Sequence, residues 1–331
     1  MITNNIIDLI GNTPLIKLKF ASKITGCDIY GKAEFMNPGG SIKDRAALSI
    51  INDAERKKLI KPGGSIIEGT AGNTGIGITL IANCKGYRSI IVIPETQTKE
   101  KIDSLKSMGA DLRLVPAKPY KDPNNYVKYS ERLAKDIKEK NNGNAIWANQ
   151  FDNTANLYGH YNFTGKEIWE QTNGNIDAFV CSSGTGGTIA GVGKALKEKN
   201  KNIKVYLADP KGSALYNFIK FNELKMEGSS ITEGIGSSRI TSNFKEAPID
   251  DAYSIDDNEA MKIVFNLIKD EGLNLGTSSG INIAGAIRLG KEIGPGKTII
   301  TILCDRADRY QSKLFNKNLL KEKKIEIPSW L

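Results

Sequence analysis

The chain has 331 residues, 40% of them hydrophobic and a quarter charged, with 46 Lys and Arg against 37 Asp and Glu and a formal net charge of +9. This composition excludes a disordered chain, and the length suits two lobes better than one compact unit. The basic excess lies on mixed-charge helical stretches such as Ala195-Leu196-Lys197-Glu198-Lys199, with no basic cluster interleaved with aromatics. It therefore argues for a solvated exterior that collects small anions, and against a nucleic-acid surface.

The opening residues Met1-Ile2-Thr3-Asn4-Asn5 have no signal-peptide character, and no run of about 18 apolar residues occurs anywhere. A cytoplasmic protein without a membrane partner is expected. Cys27, Cys84, Cys181 and Cys304 are isolated and read as reduced core thiols. With the single His160 they leave too few ligands for a metal site.

The first informative segment is Asn37-Pro38-Gly39-Gly40-Ser41-Ile42-Lys43-Asp44-Arg45, running into the helical pattern Ala46–Ile51. A Pro-Gly-Gly turn and a Ser cap bring backbone donors close to a ligand, with Lys43 in the first turn. There the positive end of the helix dipole disfavours an ammonium by about 0.3–1 kcal/mol. Alone, the segment reads equally well as a solvated lysine at a capped helix start.

From Ser65 onward, β-branched runs alternate with helix-length amphipathic segments: strands are predicted at Ser65–Glu68, Ser89–Pro94, Leu112–Val115, Ala145–Ala148, Ala178–Cys181, Lys204–Ala208 and Thr298–Cys304. Strands separated by helices imply an α/β fold of mostly parallel sheets flanked by helices. After the first of these strands, Thr70-Ala71-Gly72-Asn73-Thr74 opens a helix and suits a small anion such as a carboxylate. After Ala178–Cys181, Gly184-Thr185-Gly186-Gly187-Thr188 opens the helix Ile189–Lys197 and suits a phosphate. It is not the dinucleotide fingerprint, since Ile189 stands where the third glycine is required. Gly276-Thr277-Ser278-Ser279-Gly280 precedes the helix Ile281–Arg288. Each of the three turns also has a plain capping or packing explanation.

One scheme uses all four segments: a cofactor with a phosphate, an aldehyde that condenses with a lysine, and an amino-acid substrate whose carboxylate needs its own cradle. That cofactor is pyridoxal 5′-phosphate. Together with Ile10-Gly11-Asn12-Thr13-Pro14-Leu15, Asn149-Gln150-Phe151-Asp152-Asn153, Glu233-Gly234-Ile235-Gly236, Ile302-Leu303-Cys304-Asp305 and Arg309-Tyr310-Gln311-Ser312-Lys313-Leu314-Phe315, the segments resemble the cysteine synthase and cystathionine β-synthase family of fold-type II pyridoxal-phosphate enzymes over almost the whole chain.

The resemblance implies a two-domain, tryptophan-synthase-β-like fold. Residues 1–45 and 150–331 would form the large domain and 46–149 a small mobile one, in a homodimer that associates with serine acetyltransferase. It also implies roles. Lys43 forms the Schiff base and serves as acid and base. Asn73 bonds the cofactor 3′-oxygen. Gly184, Thr185, Gly186, Gly187 and Thr188 hold the phosphate, and Ser278 faces the ring nitrogen. Thr70, Gly72, Asn73, Thr74 and Gln150 bind the substrate carboxylate. The activity implied is β-replacement, making L-cysteine from O-acetyl-L-serine and sulfide through an α-aminoacrylate. Cysteine desulfhydrase and cystathionine β-synthase activities run through the same intermediate, and a non-catalytic paralogue that binds a partner in its cleft is the alternative of another class. Two departures from the family pattern stand out: Ala71 where serine is common, and the charged Arg306-Ala307-Asp308 beside the last strand.

Overall fold

The computed structural model describes residues 2–331. Its strands are β1 (Leu15–Lys17), β2 (Asp28–Ala33), β3 (Ser65–Gly69), β4 (Arg88–Pro94), β5 (Asp111–Val115), β6 (Ala145–Trp147), β7 (Ala178–Cys181), β8 (Lys204–Pro210), β9 (Asp251–Ile255) and β10 (Thr298–Leu303). They form two sheets, ordered β1-β2-β10-β7-β8-β9 and β5-β4-β3-β6. Every pairing is parallel except β1 with β2, whose register sets Leu15 opposite Lys32.

The period of two along the central strands explains why both faces are covered. On β10, Ile299 and Leu303 join Ala178 and Val180 of β7 in a core against the helix Thr277–Ile293. Ile300 and Ile302 join Phe179 and Cys181 in the opposite core, against Ile189, Val192 and Leu196 of the helix Gly187–Lys199. In the second sheet, Ile66 and Ile91 pack on Ala47, Ile50 and Ile51 of the helix Lys43–Arg56 and on Ile76 and Ile81 of the helix Asn73–Lys85. Ile67 and Ile90 pack on Ala134 from the other side.

The Lys43 helix thus belongs to the core of the second sheet, but the residues before it are tied to the first. Ile42 donates its N–H to Cys304 O at 3.0 Å, and Ser41 bridges to Asp305. Two residues further on, Arg45 is buried and donates to both Glu34 and Glu167, which also pairs with Lys32 at 2.7 Å. Burial would raise the Glu167 carboxyl, yet Arg45 and Lys32 bring it down to about 2. The lysine is held at the seam by bonds on either side of it.

Two expectations need correction. Cys27 and Cys181 are buried, but Cys84 is exposed and Cys304 only partly covered, so the thiols are not all core residues. Ser41 does not cap the helix; Ile42 occupies the cap position, and the Ser41 hydroxyl accepts from the Lys43 N–H at 3.2 Å. None of the described helices is long and apolar enough to cross a membrane.

Candidate active site

The carboxyl ends of β3, β6, β7 and β10 face one cleft, the usual place for a ligand in parallel α/β sheets. Its volume is about 290 Å³, and its lining includes Lys43, Thr70, Asn73, Thr74, Gln150, Gly184, Thr185 and Ser278. A narrow inner cavity continues past Lys43 to Gly184, Thr185, Gly186 and Thr188. Among the residues expected in the site, the structure therefore brings together ones up to 235 positions apart, Lys43 and Ser278 being the extremes. Lys43 is half-buried, lines both spaces, and its Nζ has no hydrogen-bond or ion-pair partner among the described residues.

Gly72 and Gly187, also expected in the site, do not line it. Gly72 has φ +127°, its N–H donates to Thr70 Oγ1 at 3.0 Å, and a Cβ there would lie 2.7 Å from Lys101 Cδ. A Cβ on Gly187 would lie 2.3 Å from Asn156 Oδ1. At both positions the packing leaves no room for a side chain.

The turn from Thr70 to Thr74 and Gln150 are preset by their own hydrogen bonds. Thr74 Oγ1 donates to Gln150 Oε1 at 2.5 Å, and Gln150 Nε2 donates to Gly69 O at 3.3 Å. Asn156 joins Gln150 to the Gly184–Thr188 turn, with Nδ2 donating to Gln150 O at 2.9 Å and to Thr185 Oγ1 at 3.0 Å. Behind the loop lies the single histidine. His160 Nε2 is 3.3 Å from Thr188 Oγ1 and Nδ1 is 2.9 Å from Thr164 Oγ1, while burial, then Arg45 and Lys43, push its pKa well below the usual value. A neutral imidazole there supports Thr188.

The residues fit pyridoxal phosphate on three counts. The N–H groups of Gly184, Thr185 and Gly186 have no partner among the described residues, and they lead into a helix N-terminus. The Ser183 hydroxyl beside them is buried and unpartnered. Ser278, the second residue of the helix Thr277–Ile293 rather than part of a preceding turn, offers a neutral hydroxyl at the cleft floor.

Several cleft residues carried no expected role. Asp305 and Tyr310 line the cleft, and Asp305 accepts from Asn73. Lys101 is buried, pairs with Glu233 at 2.6 Å and lies 4.2 Å from the Tyr310 ring centroid. Glu233 and Asp305 fall within segments that carry the family resemblance, which was the only signal for them. Arg306 and Asp308 are half-exposed and pair with each other at 3.3 Å. They line a shallow groove with Pro38, Ile76 and Ser104, outside the cleft. The unusual Arg-Ala-Asp stretch therefore adds no charge to the cleft lining.

Glu68, at the end of β3, accepts from the Gln150 N–H at 3.4 Å, and burial pushes its carboxyl up to about 8. The unfolded carboxyl titrates near its ordinary 4.5, so between these values the folded chain holds a proton that the unfolded chain has lost. This contribution is complete below 4.5 and disappears as pH rises through 8. The urea midpoint is expected to fall between pH 5 and 8.5, with a shallower fall in Glu68→Gln, whose amide stays neutral. Asp44 and Asp209, each raised by burial to about 7, act in the same direction and leave a residual slope. Identical slopes in wild type and variant would refute the assignment.

Residues 6–305 match the family described as pyridoxal-phosphate dependent enzyme. Cysteine synthase 1 of Neurospora crassa is 47% identical over 96% of this chain and 84% of that protein, and cysteine synthase of Dictyostelium discoideum is 44% identical over 98% and 88%. Among solved structures, the O-acetylserine dependent cystathionine beta-synthase from Helicobacter pylori has a TM-score of 0.85 at 33% identity, covering 95% of this chain and 98% of that one.

Proposed function

The chain belongs to the pyridoxal-phosphate dependent enzymes, and we propose that within this family it makes L-cysteine from O-acetyl-L-serine and sulfide by β-replacement. The observation that carries this reading is the unpartnered Lys43 amine in one cleft with a phosphate-suited loop and a preset carboxylate cradle. The similarity to cysteine synthases over nearly the full chain supports the choice of product.

When bound, pyridoxal phosphate supplies the electron sink that lets a β-substituent leave an amino acid and a nucleophile replace it. The chain does the rest. Gly184 to Thr188 hold the phosphate, with Gly187 setting the shape of the turn. Asn73 donates to the ring oxygen. Ser278 would meet the ring nitrogen with a neutral hydroxyl, a weaker partner than a carboxylate, which would favour elimination over transamination. Thr70, Asn73, Thr74 and Gln150 hold the substrate carboxylate, with Gly72 shaping their loop. The Lys43 amine would hold the cofactor aldehyde and would serve as the base and acid that carries the α-proton. Residues 46–149 move as a small domain over the carboxylate and exclude water.

The same reading makes the enzyme a cytoplasmic homodimer that associates with serine acetyltransferase. A groove of about 750 Å³ beside the exposed Tyr158 and Phe163 supports the dimer, as a face that a second copy would cover. Sedimentation at micromolar concentration tests it, and a monomer would overturn that part.

A second reading, cystathionine formation from the same donor, is favoured by Glu233, which lines the cleft between Lys101 and Lys313. These charges exceed what sulfide requires and match an amino-acid thiol. Purified enzyme given O-acetylserine with sulfide, or with homocysteine, separates the two by relative kcat/KM. Absence of cysteine in the sulfide assay would sink the preferred reading.

A further inference from the structure

Asn73 is gripped at both ends of its amide. Arg309 Nη1 donates to Asn73 Oδ1 at 2.6 Å, and Asn73 Nδ2 donates to Asp305 Oδ2 at 2.6 Å. Tyr310 donates its hydroxyl to the same Asp305 oxygen. Asp305 is 1% exposed, and its Oδ1 is buried without a partner. Arg309 is anchored in turn: Nη2 donates to Gly39 O in the turn before Lys43, and its carbonyl accepts from Thr98 Oγ1 at 2.7 Å.

The chemistry of these partners leaves the amide no choice. A guanidinium only donates and a carboxylate only accepts, so the amide oxygen must face Arg309 and its nitrogen Asp305. Turned over, the amide would set NH₂ against a donor and its oxygen against an anion. Both contacts would then be repulsive within a cleft where charge is poorly screened. Nδ2 carries two protons, and Asp305 takes one.

We propose that Arg309 and Asp305 are positioning residues that lock the Asn73 amide with its NH₂ toward the cleft, so that the second proton is always presented to the ring oxygen of pyridoxal phosphate. The proposal rests on the assignment of Asn73 to that oxygen. Without the lock, the amide presents a lone pair for part of the time to an oxygen that requires a donor. Arg309 also links this amide to the Gly39 turn, so one side chain sets both Asn73 and the approach to Lys43.

The test is a double-mutant cycle on pyridoxal-phosphate-loaded protein with Asn73→Ala, Arg309→Met and both together, read by the visible band of the bound cofactor and by its affinity in equilibrium dialysis. Asn73→Ala is expected to move the band and weaken cofactor binding about tenfold, as loss of one hydrogen bond to a charged group does. Arg309→Met should move the band in the same direction by less, and in the Asn73→Ala background it should move the band no further. An unchanged band in Asn73→Ala overturns the assignment of Asn73 itself. A moved band there with an unchanged band in Arg309→Met overturns only the lock. If Arg309→Met has the same effect with and without Asn73, it acts through Gly39 alone, and the lock is again overturned. Should Arg309→Met fail to fold, Asp305→Asn replaces it in the cycle, since an amide in place of the carboxylate no longer distinguishes the two orientations.

Discussion

Lys43→Ala is expected to lower turnover of O-acetylserine by at least about 10³-fold while the protein still takes up pyridoxal phosphate. On the proposed roles of Lys43, the loss combines removal of the covalent anchor with removal of the base for the α-proton, and positioned general bases alone account for about 10²–10⁴. Uptake should survive because the loop proposed to hold the phosphate is built without the lysine: Asn282 Oδ1 accepts from Ser182 N at 2.6 Å, Thr241 Oγ1 donates to Thr185 O at 2.7 Å, and Gly236 N donates to Ser183 O at 2.8 Å. Stability should hardly change, since the Lys43 amine makes no bond that the fold would lose. Borohydride treatment followed by peptide mass analysis gives an independent check. Wild type should carry the cofactor mass on the peptide containing Lys43, and the variant should carry none. Near-normal turnover in Lys43→Ala, or labelling of a different lysine in wild type, would remove Lys43 from the centre of the site.

The site was legible in the sequence where the chemistry sits in short turns. Glycine, serine and threonine mark helix starts, two of them directly after strands, and four such segments at Lys43, Thr70, Gly184 and Ser278 converge on one cleft. The strands from β3 to β8 and β10 match the sequence reading within about two residues, because short apolar, often β-branched runs between helical segments are distinctive, most of them buried and β5 the exposed exception. β1 and β2 were not read. β1 is three residues long, and β2 is interrupted by Gly31 and Lys32. Gly31 is there because a Cβ would lie 2.5 Å from Leu303 Cγ, and Lys32 because it pairs with Glu167 inside the protein. Both are tertiary requirements that override strand propensity. β9, half-buried along most of its length at the sheet edge, was missed for want of a continuous apolar run.

The same distinction separates Asn73 from its partners. Asn73 stands in a recognisable turn, whereas Asp305 and Arg309 act on it from 232 and 236 residues away. No local pattern encodes such a contact. Arg306 and Asp308 show the converse: conspicuous charges next to the site turn out to pair with each other outside the cleft.

Gly186→Val carries the second large expected effect, and it divides two reasons for a glycine that the sequence alone could not separate. Gly186 has φ +86°, a conformation that costs an L residue about 1–2 kcal/mol and a β-branched one more. A Cβ there would also lie 2.4 Å from Phe244 N and 2.5 Å from Phe244 Cα. Backbone meets backbone, so no side-chain rotation relieves the contact, and overpacking adds about 1–3 kcal/mol. The segment on the other side cannot retreat freely, because Asn243 Nδ2 donates to Gln150 O at 3.0 Å and to Phe151 O at 2.7 Å. Displacement of the loop would therefore disturb the carboxylate cradle as well. We expect a loss of about 2–5 kcal/mol in urea unfolding and at least about 10³-fold weaker cofactor binding, the equivalent of three or more displaced backbone donors at about 1.4 kcal/mol per tenfold. Gly63→Val is the control: Gly63 has φ +77° but nothing within 4 Å of its Cβ position, so it should show only the conformational cost and normal cofactor binding. Cofactor binding that survives in Gly186→Val at wild-type strength would mean that residues 184–188 do not hold the phosphate.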